Sequence, residues 1–299
     1  MIGQSGSGEP VFLTDGLHSY RAIRPWARMP QGQEIGALSQ LIVNDDGYVI
    51  ACQRSSPAIL IFAPDGSLHR AWDHPKLSSV HGIFLCADQT FFVTSFDRHQ
   101  VLRFDIDGHL LQELGTFDRP TWGAPFNHPT DIGVSSNGDI FVTDGYGNAR
   151  VHRFDPDGRL LLSWGRPGTG PSEFSCPHGI WVDAQDRVIV LDRDNNRIQV
   201  FDTEGVLASI WSGFVKPMDI WGNASGEFFV SDQTPRISRV DKSGTIIGAM
   251  RGFTAYPHGL WGDRHGNLFI AEQLPAGIAK YELVTETSGS RDAPAPKGN

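Results

Sequence analysis

The chain repeats itself, and the repeat limits what it can fold into more than any other feature. The segment "HGIFLCADQTFFVTSFDRHQVLRFDIDGHLLQELG" (81–115) can be laid over "TDIGVSSNGDIFVTDGYGNARVHRFDPDGRLLLSWG" (130–165) and over "HGIWVDAQDRVIVLDRDNNRIQVFDTEGVLASIW" (178–211). Weaker copies begin at Leu38, Met218 and His258, making six units. Each unit holds four apolar runs rich in β-branched and aromatic residues, separated by Asp, Gly and Asn turns, which is the pattern of strands joined by tight turns. No helical period competes over a comparable length.

Four strands per unit of about 40–50 residues is the pattern of a β-propeller, so six units predict an all-β, six-bladed ring over residues 10–284. The last unit lacks a fourth strand after "IAKYELV" (278–284), while "HSYRAIRPWAR" (18–28) precedes the first unit. An N-terminal strand is therefore expected to complete the last blade and remove an exposed edge. Residues 1–9 and the small, polar, proline-bearing stretch 285–299 are expected to be disordered.

Composition narrows the function. The three cysteines, Cys52, Cys86 and Cys176, form no short-range pairing pattern, so they are expected to be core thiols in a reducing compartment. The chain begins without a basic or apolar leader pattern and contains no long apolar run, which predicts a cytoplasmic protein with no membrane partner. A formal net charge of −9 disfavours nucleic acid as a partner.

Within the repeat one position breaks the symmetry. At the start of the innermost strand the six units carry Leu38, His81, Thr130, His178, Met218 and His258, so histidine occupies blades two, four and six only. Alternate blades of a six-bladed ring lie about 120° apart, so three imidazoles converge on the channel axis. Three nitrogens with an open fourth position make a catalytic zinc-type set, which predicts Zn2+ or another divalent transition metal on His81, His178 and His258. His128 lies two residues out of register and is expected, with Thr130, Met218 and Tyr256, to line the substrate pocket. Asp144, Asp192, Asp232 and Glu272 recur at the end of the second strand, and recurrence in nearly every blade marks a structural role.

The same residues carry a family resemblance. The block 142–201, with "DGYGNAR", "CPHGIW" and "DRDNNRIQ", resembles the catalytic core of the peptidyl-α-hydroxyglycine α-amidating lyases, which are NHL-repeat six-bladed propellers. The resemblance implies zinc on the three histidines, Tyr146 as the catalytic base, and active-site arginines at Arg54 and Arg193. It implies a lyase that splits the C–N bond of an N-(α-hydroxyalkyl) amide, peptide-derived or another small molecule, to an amide and an aldehyde or glyoxylate. Nearby cations are expected to depress the Tyr146 phenol. Two departures stand out: the family's Met-Pro-His-Asp is Tyr256, Pro257, His258 and Gly259 here, which casts doubt on a structural Ca2+, and Gly147 replaces a disulfide cysteine. The rival readings are a lactonase-like propeller hydrolase with oxygen-bound calcium and a non-catalytic binding scaffold.

Overall fold

A computed structural model describes residues 11–252 and 256–284. The stretches 1–9 and 285–299, expected to be disordered, lie outside the described residues. The described chain forms six antiparallel sheets, each a meander running outward from the channel. Their innermost strands are Leu38–Val43, Val80–Leu85, Asp131–Val134, Pro177–Val182, Pro217–Gly222 and Pro257–Gly262. These six contact one another around the full ring, the last against the first.

Strand composition follows position in the blade. The second strands, such as Val49–Gln53, Phe91–Ser95 and Val188–Asp192, lie between neighbouring blades and are buried at every residue, so they read as continuous apolar runs. The fourth strands lie at the rim and alternate, as in Leu110–Gly115. Their terminal tryptophans wedge between blades: Trp72 packs on Phe104 at 5.3 Å and Trp164 on Phe201 at 5.8 Å. Gly205, at φ 74°, closes the turn under Trp164, where an added Cβ would come within 2.9 Å of the indole.

The last blade draws on both ends of the chain. Strand Ser19–Ile23 pairs antiparallel with Ala276–Val284 and supplies the missing fourth strand, and Val11–Thr14 adds a fifth outside it. The closing hairpin is pinned to the fifth blade. Asp15 accepts the amides of Leu17 and His18 at 2.9 and 2.8 Å, and its other oxygen pairs with Arg239 Nε at 2.8 Å. Both side chains are almost fully buried. Arg239 keeps its second partner, Glu227 at 2.9 Å, when Asp15 is lost, so Asp15→Ala is expected to cost about 1–3 kcal/mol in urea denaturation from the broken buried bonds, with no measurable loss counting against this latch.

Candidate active site

Strand pairing explains how the repeat aims its histidines. Pro177 pairs with Asp192 and Gly179 with Leu191, which leaves His178 as an extra residue, a β-bulge. The same shift falls between Pro257 and Gly259, between Pro217 and Asp219, and between Val80 and Ile83. A bulge re-aims a side chain, and here it directs the ring into the channel. In blade one the shift lies between Leu38 and Gln40, so the residue equivalent to the histidines is Ser39 rather than Leu38. Leu38 pairs with Gln53 and belongs to the apolar core.

Each histidine donates its Nδ1 proton to the slot residue of the next blade. His81 bonds the Thr130 carbonyl at 2.9 Å, His178 that of Met218 at 2.8 Å, and His258 that of Ser39 at 2.6 Å. The glycine after each histidine makes this approach possible. A Cβ on Gly82 would come within 2.6 Å of the Thr130 carbonyl oxygen, and one on Gly259 within 2.7 Å of that of Ser39. Gly259 therefore has no room for the aspartate of the resembling family, and a calcium site using that side chain is closed in this chain.

With Nδ1 protonated, the Nε2 lone pairs turn inward. The three rings lie 4.7, 4.9 and 5.0 Å apart between centroids, and their ligand atoms fall within 4.8 Å of one another. All three rings are buried, and His178 Nε2 has no partner among the described residues. Burial, repulsion from the neighbouring imidazoles and the charge of Arg193 push His81 and His178 well below their ordinary values, with Arg54 adding to the effect on His81, and burial followed by Arg54 takes His258 down to about 3. The result is a neutral tris-imidazole set with fixed tautomers and an orphaned nitrogen, which fits a borderline metal ion such as zinc.

Tyr146 follows the second strand of blade three. Its hydroxyl donates to His81 Nε2 at 3.3 Å and accepts from Arg193 Nη1 at 3.2 Å. Burial raises the phenol above its usual value, and the opposing pull of Arg193 does not offset it. Arg193 and Arg54 do pull the phenol down, as expected of nearby cations, but desolvation outweighs the two arginines. Arg193 is further held by Asp194 at 3.1 Å. Arg54 donates Nε to Ser39 Oγ at 3.1 Å and is otherwise exposed.

Other expected residues fall elsewhere. Thr130 is fully buried with its hydroxyl held by Thr143 and the Pro177 carbonyl, so it orients His81 rather than facing a substrate. Met218 lies beside the histidines, and its sulfur accepts from Gln233 at 3.3 Å. His128 is half-buried against His99 and Phe96, and Tyr256 is 40% exposed ahead of His258. Only Cys52 is a core thiol. Cys176 lines the cleft beside Tyr146 and Arg193, and burial pushes it up to about 12. Phe96, not anticipated, stacks on His81 at 6.1 Å and packs edge-on to Tyr146 at 4.9 Å. Its signal was its register, since it directly follows the second strand of its blade, as Arg54 and Arg193 do.

The recurring acids hold loops. Asp144 accepts the Asn127 amide at 2.9 Å and Asp192 that of Ser175 at 2.7 Å, in each case three residues before the slot of the same blade. At the far end of the channel Phe84, Trp181 and Trp261, each three residues after a histidine, meet at 5.6–6.2 Å. This aromatic plug leaves the histidine end as the open mouth.

Fold and site together define a six-bladed β-propeller with a tris-histidine centre in its channel. Residues 125–209 match a family described as a 6-bladed beta-propeller. Human NHL repeat-containing protein 3 is 33% identical over 199 residues, covering 62% of this chain and 57% of that protein. A probable peptidyl-alpha-hydroxyglycine alpha-amidating lyase of Caenorhabditis elegans is 29% identical over 56% of each. A gluconolactonase structure from Xanthomonas campestris superposes with a TM-score of 0.70 at 17% identity, covering 93% of this chain and 96% of the other, a likeness of fold. The chain's homologues thus include amidating-lyase-like and NHL-repeat proteins, and it spans a little over half the length of these two relatives.

The neutral histidines make a pH prediction. Their folded values lie below the unfolded value of about 6.5, so below that pH the unfolded chain gains protons that the folded chain refuses, and stability falls. Each ring contributes up to about 1.4 kcal/mol per pH unit on the way down to its folded value. In metal-stripped protein His178→Gln is expected to flatten the acid limb of stability against pH by about that slope. An unchanged limb would show that His178 is not held neutral.

Proposed function

We propose that this chain is a metal-dependent carbon–nitrogen lyase of the amidating-lyase type, acting on N-(α-hydroxyalkyl) amides at the channel mouth. The observation that carries the reading is the convergence of three neutral imidazole Nε2 atoms with the Tyr146 hydroxyl 3.3 Å from one of them. His81, His178 and His258 would hold the ion, with zinc the best match to three nitrogens, and it would supply Lewis-acid charge for the carbinol oxygen.

The residues of the chain divide the remaining work. Arg193 commits its guanidinium to Tyr146 and Asp194, so its role is to orient the phenol. Arg54 commits only Nε, so the rest of its fork is the arm for a substrate carboxylate, by a charge-assisted pair. Tyr146 Oη is within reach of the mouth to take the carbinol proton. The C–O bond becomes the carbonyl of the aldehyde as the C–N bond breaks, and the departing nitrogen regains a proton to give the amide. The base role requires the phenolate, which the pull of Arg193 and Arg54 favours and which a cation held by the histidines would favour further. The plug of Phe84, Trp181 and Trp261 bars water from the far side. Phe96 walls the pair Tyr146–His81.

A calcium lactonase is disfavoured because the donors facing the mouth are imidazole nitrogens, whereas calcium requires an oxygen cage. A larger groove on the opposite face, among Asp45, Trp221 and Asp263, brings together no comparable set of converging donors.

Zinc-loaded protein is expected to release glyoxylate from an N-acyl-α-hydroxyglycine. Tyr146→Phe should lower kcat about 10²–10⁴-fold with zinc content unchanged. His178→Ala should lose both zinc and turnover. An inert zinc-loaded protein, tested across carbinolamides of different acyl groups, would overturn the lyase reading.

A further inference from the structure

Directly below the histidines the alternation continues on the other three blades. Gln40, Asp131 and Asp219 follow the slot residues of blades one, three and five and line, with the three histidines and Met218, one small cavity on the channel axis. All three are nearly fully buried. Each accepts a backbone amide of the following blade: Gln40 Oε1 from Ile83 at 2.7 Å, Asp131 Oδ2 from Ile180 at 3.0 Å, and Asp219 Oδ2 from Leu260 at 2.7 Å. Gln40 Nε2 also donates to Asp219 Oδ1 at 2.9 Å.

The blade-anchoring task does not need charge, because Gln40 performs it as a neutral amide. Yet two of the three positions carry carboxylates, and Asp131 Oδ1 is buried with no hydrogen-bond partner among the described residues. Desolvation first raises both acids, and Asp219 adds to the effect on Asp131. Asp219 is pushed up to about 7 and Asp131 well above its ordinary value. Without a cation the pair is thus a cost to the fold, whereas a neutral tris-imidazole cage leaves the charge of a bound divalent ion wholly uncompensated. A buried charge requires a partner.

We propose that Asp131 and Asp219, the latter held by Gln40, are the counter-charge for the cation held by His81, His178 and His258, an anionic layer that favours a divalent ion in the imidazole cage. This rests on the metal reading above. Asp131 is the residue to test, since asparagine can keep the Ile180 bond through its oxygen and set its amide nitrogen where Oδ1 has no partner.

The experiment is zinc titration of metal-stripped full-length protein against a chromophoric chelator, with thermal melts of the same metal-free samples, in mildly alkaline buffer. Asp131→Asn is expected to weaken zinc binding about 10–100-fold while the metal-free protein melts at the same or a higher temperature. Should the first variant fail to fold, Asp219→Asn is read by zinc affinity alone, since both Asp219 oxygens accept hydrogen bonds and asparagine must give one up; a weakened affinity is expected and an unchanged one overturns the proposal. Unchanged zinc affinity would overturn the proposal, as would weaker binding with an equally lowered metal-free melting point, which marks a purely structural pair. A second bound cation, such as Ca2+, lost in Asp131→Asn while zinc affinity holds, would also overturn it, by making the layer a site of its own. His178→Ala separates the two levels: if it leaves zinc affinity intact, the metal reading fails, whatever the aspartates do.

Discussion

The hydrogen bond from each histidine Nδ1 to the slot carbonyl of the next blade is the interaction on which the centre of the molecule depends. It is made three times, from blades two, four and six to blades three, five and one. The return bonds run from the backbone amides of blades two, four and six to Gln40, Asp131 and Asp219. The inner ring is therefore three two-blade units joined head to tail, and the bonds that close it are the bonds that set the histidine tautomers. Loss of His178 or His258 leaves a buried carbonyl without its side-chain donor, which is a penalty on folding, whereas the Thr130 carbonyl keeps a bond from the Thr94 hydroxyl if His81 is lost. Ring closure and site geometry share one set of contacts.

The same strands give the channel a direction. In a regular strand, residues three apart point to opposite faces, but the bulge adds a residue and brings both the histidine and the following aromatic to the channel. The phrase His-Gly-Ile/Leu-Trp/Phe thus encodes a ligand, a close approach between blades, one core residue and a plug. Phe84, Trp181 and Trp261 narrow one end, and the histidines stand toward the other. Burial governs titration in that mouth: it lowers His81 and His178, and it raises Tyr146 against the pull of Arg193.

Much of this was legible in the sequence because it depends on periodicity. Six copies specify six blades, and a residue type present in every second copy specifies a three-fold set on the axis. What periodicity could not supply were features created by local backbone geometry and by packing between blades. The bulge moves the blade-one slot from Leu38 to Ser39, which no alignment of apolar runs detects because Leu38 keeps the pattern better. Thr130 looked like a wall residue, yet its carbonyl and hydroxyl face other blades. Phe96 is an apolar residue among polar neighbours, Ser95, Asp97 and Arg98, and only its register links it to Arg54 and Arg193. The aspartates of "PTD" and "PMD" were visible as letters, but their partnership across the axis is a property of the closed ring.

Relatedness to the amidating lyases and the local chemistry carry different weight at different depths of the site. The inner ring is self-consistent: histidines, glycines and the opposing Gln40, Asp131 and Asp219 fit one another, so this layer constrains any reaction to one that uses a tris-imidazole centre. The walls are less constrained. Gly259 packs against Ser39 and Gln40 where the resembling family carries an aspartate, and the carboxylates of this channel instead stand on the alternate blades. Negative charge under the imidazoles is thus supplied from blades three and five rather than from the histidine strand itself. Placing the carboxylates there leaves the donor set facing the mouth unchanged, so the imidazole centre is independent of the walls formed by Tyr256, Phe96 and the cleft beside Cys176.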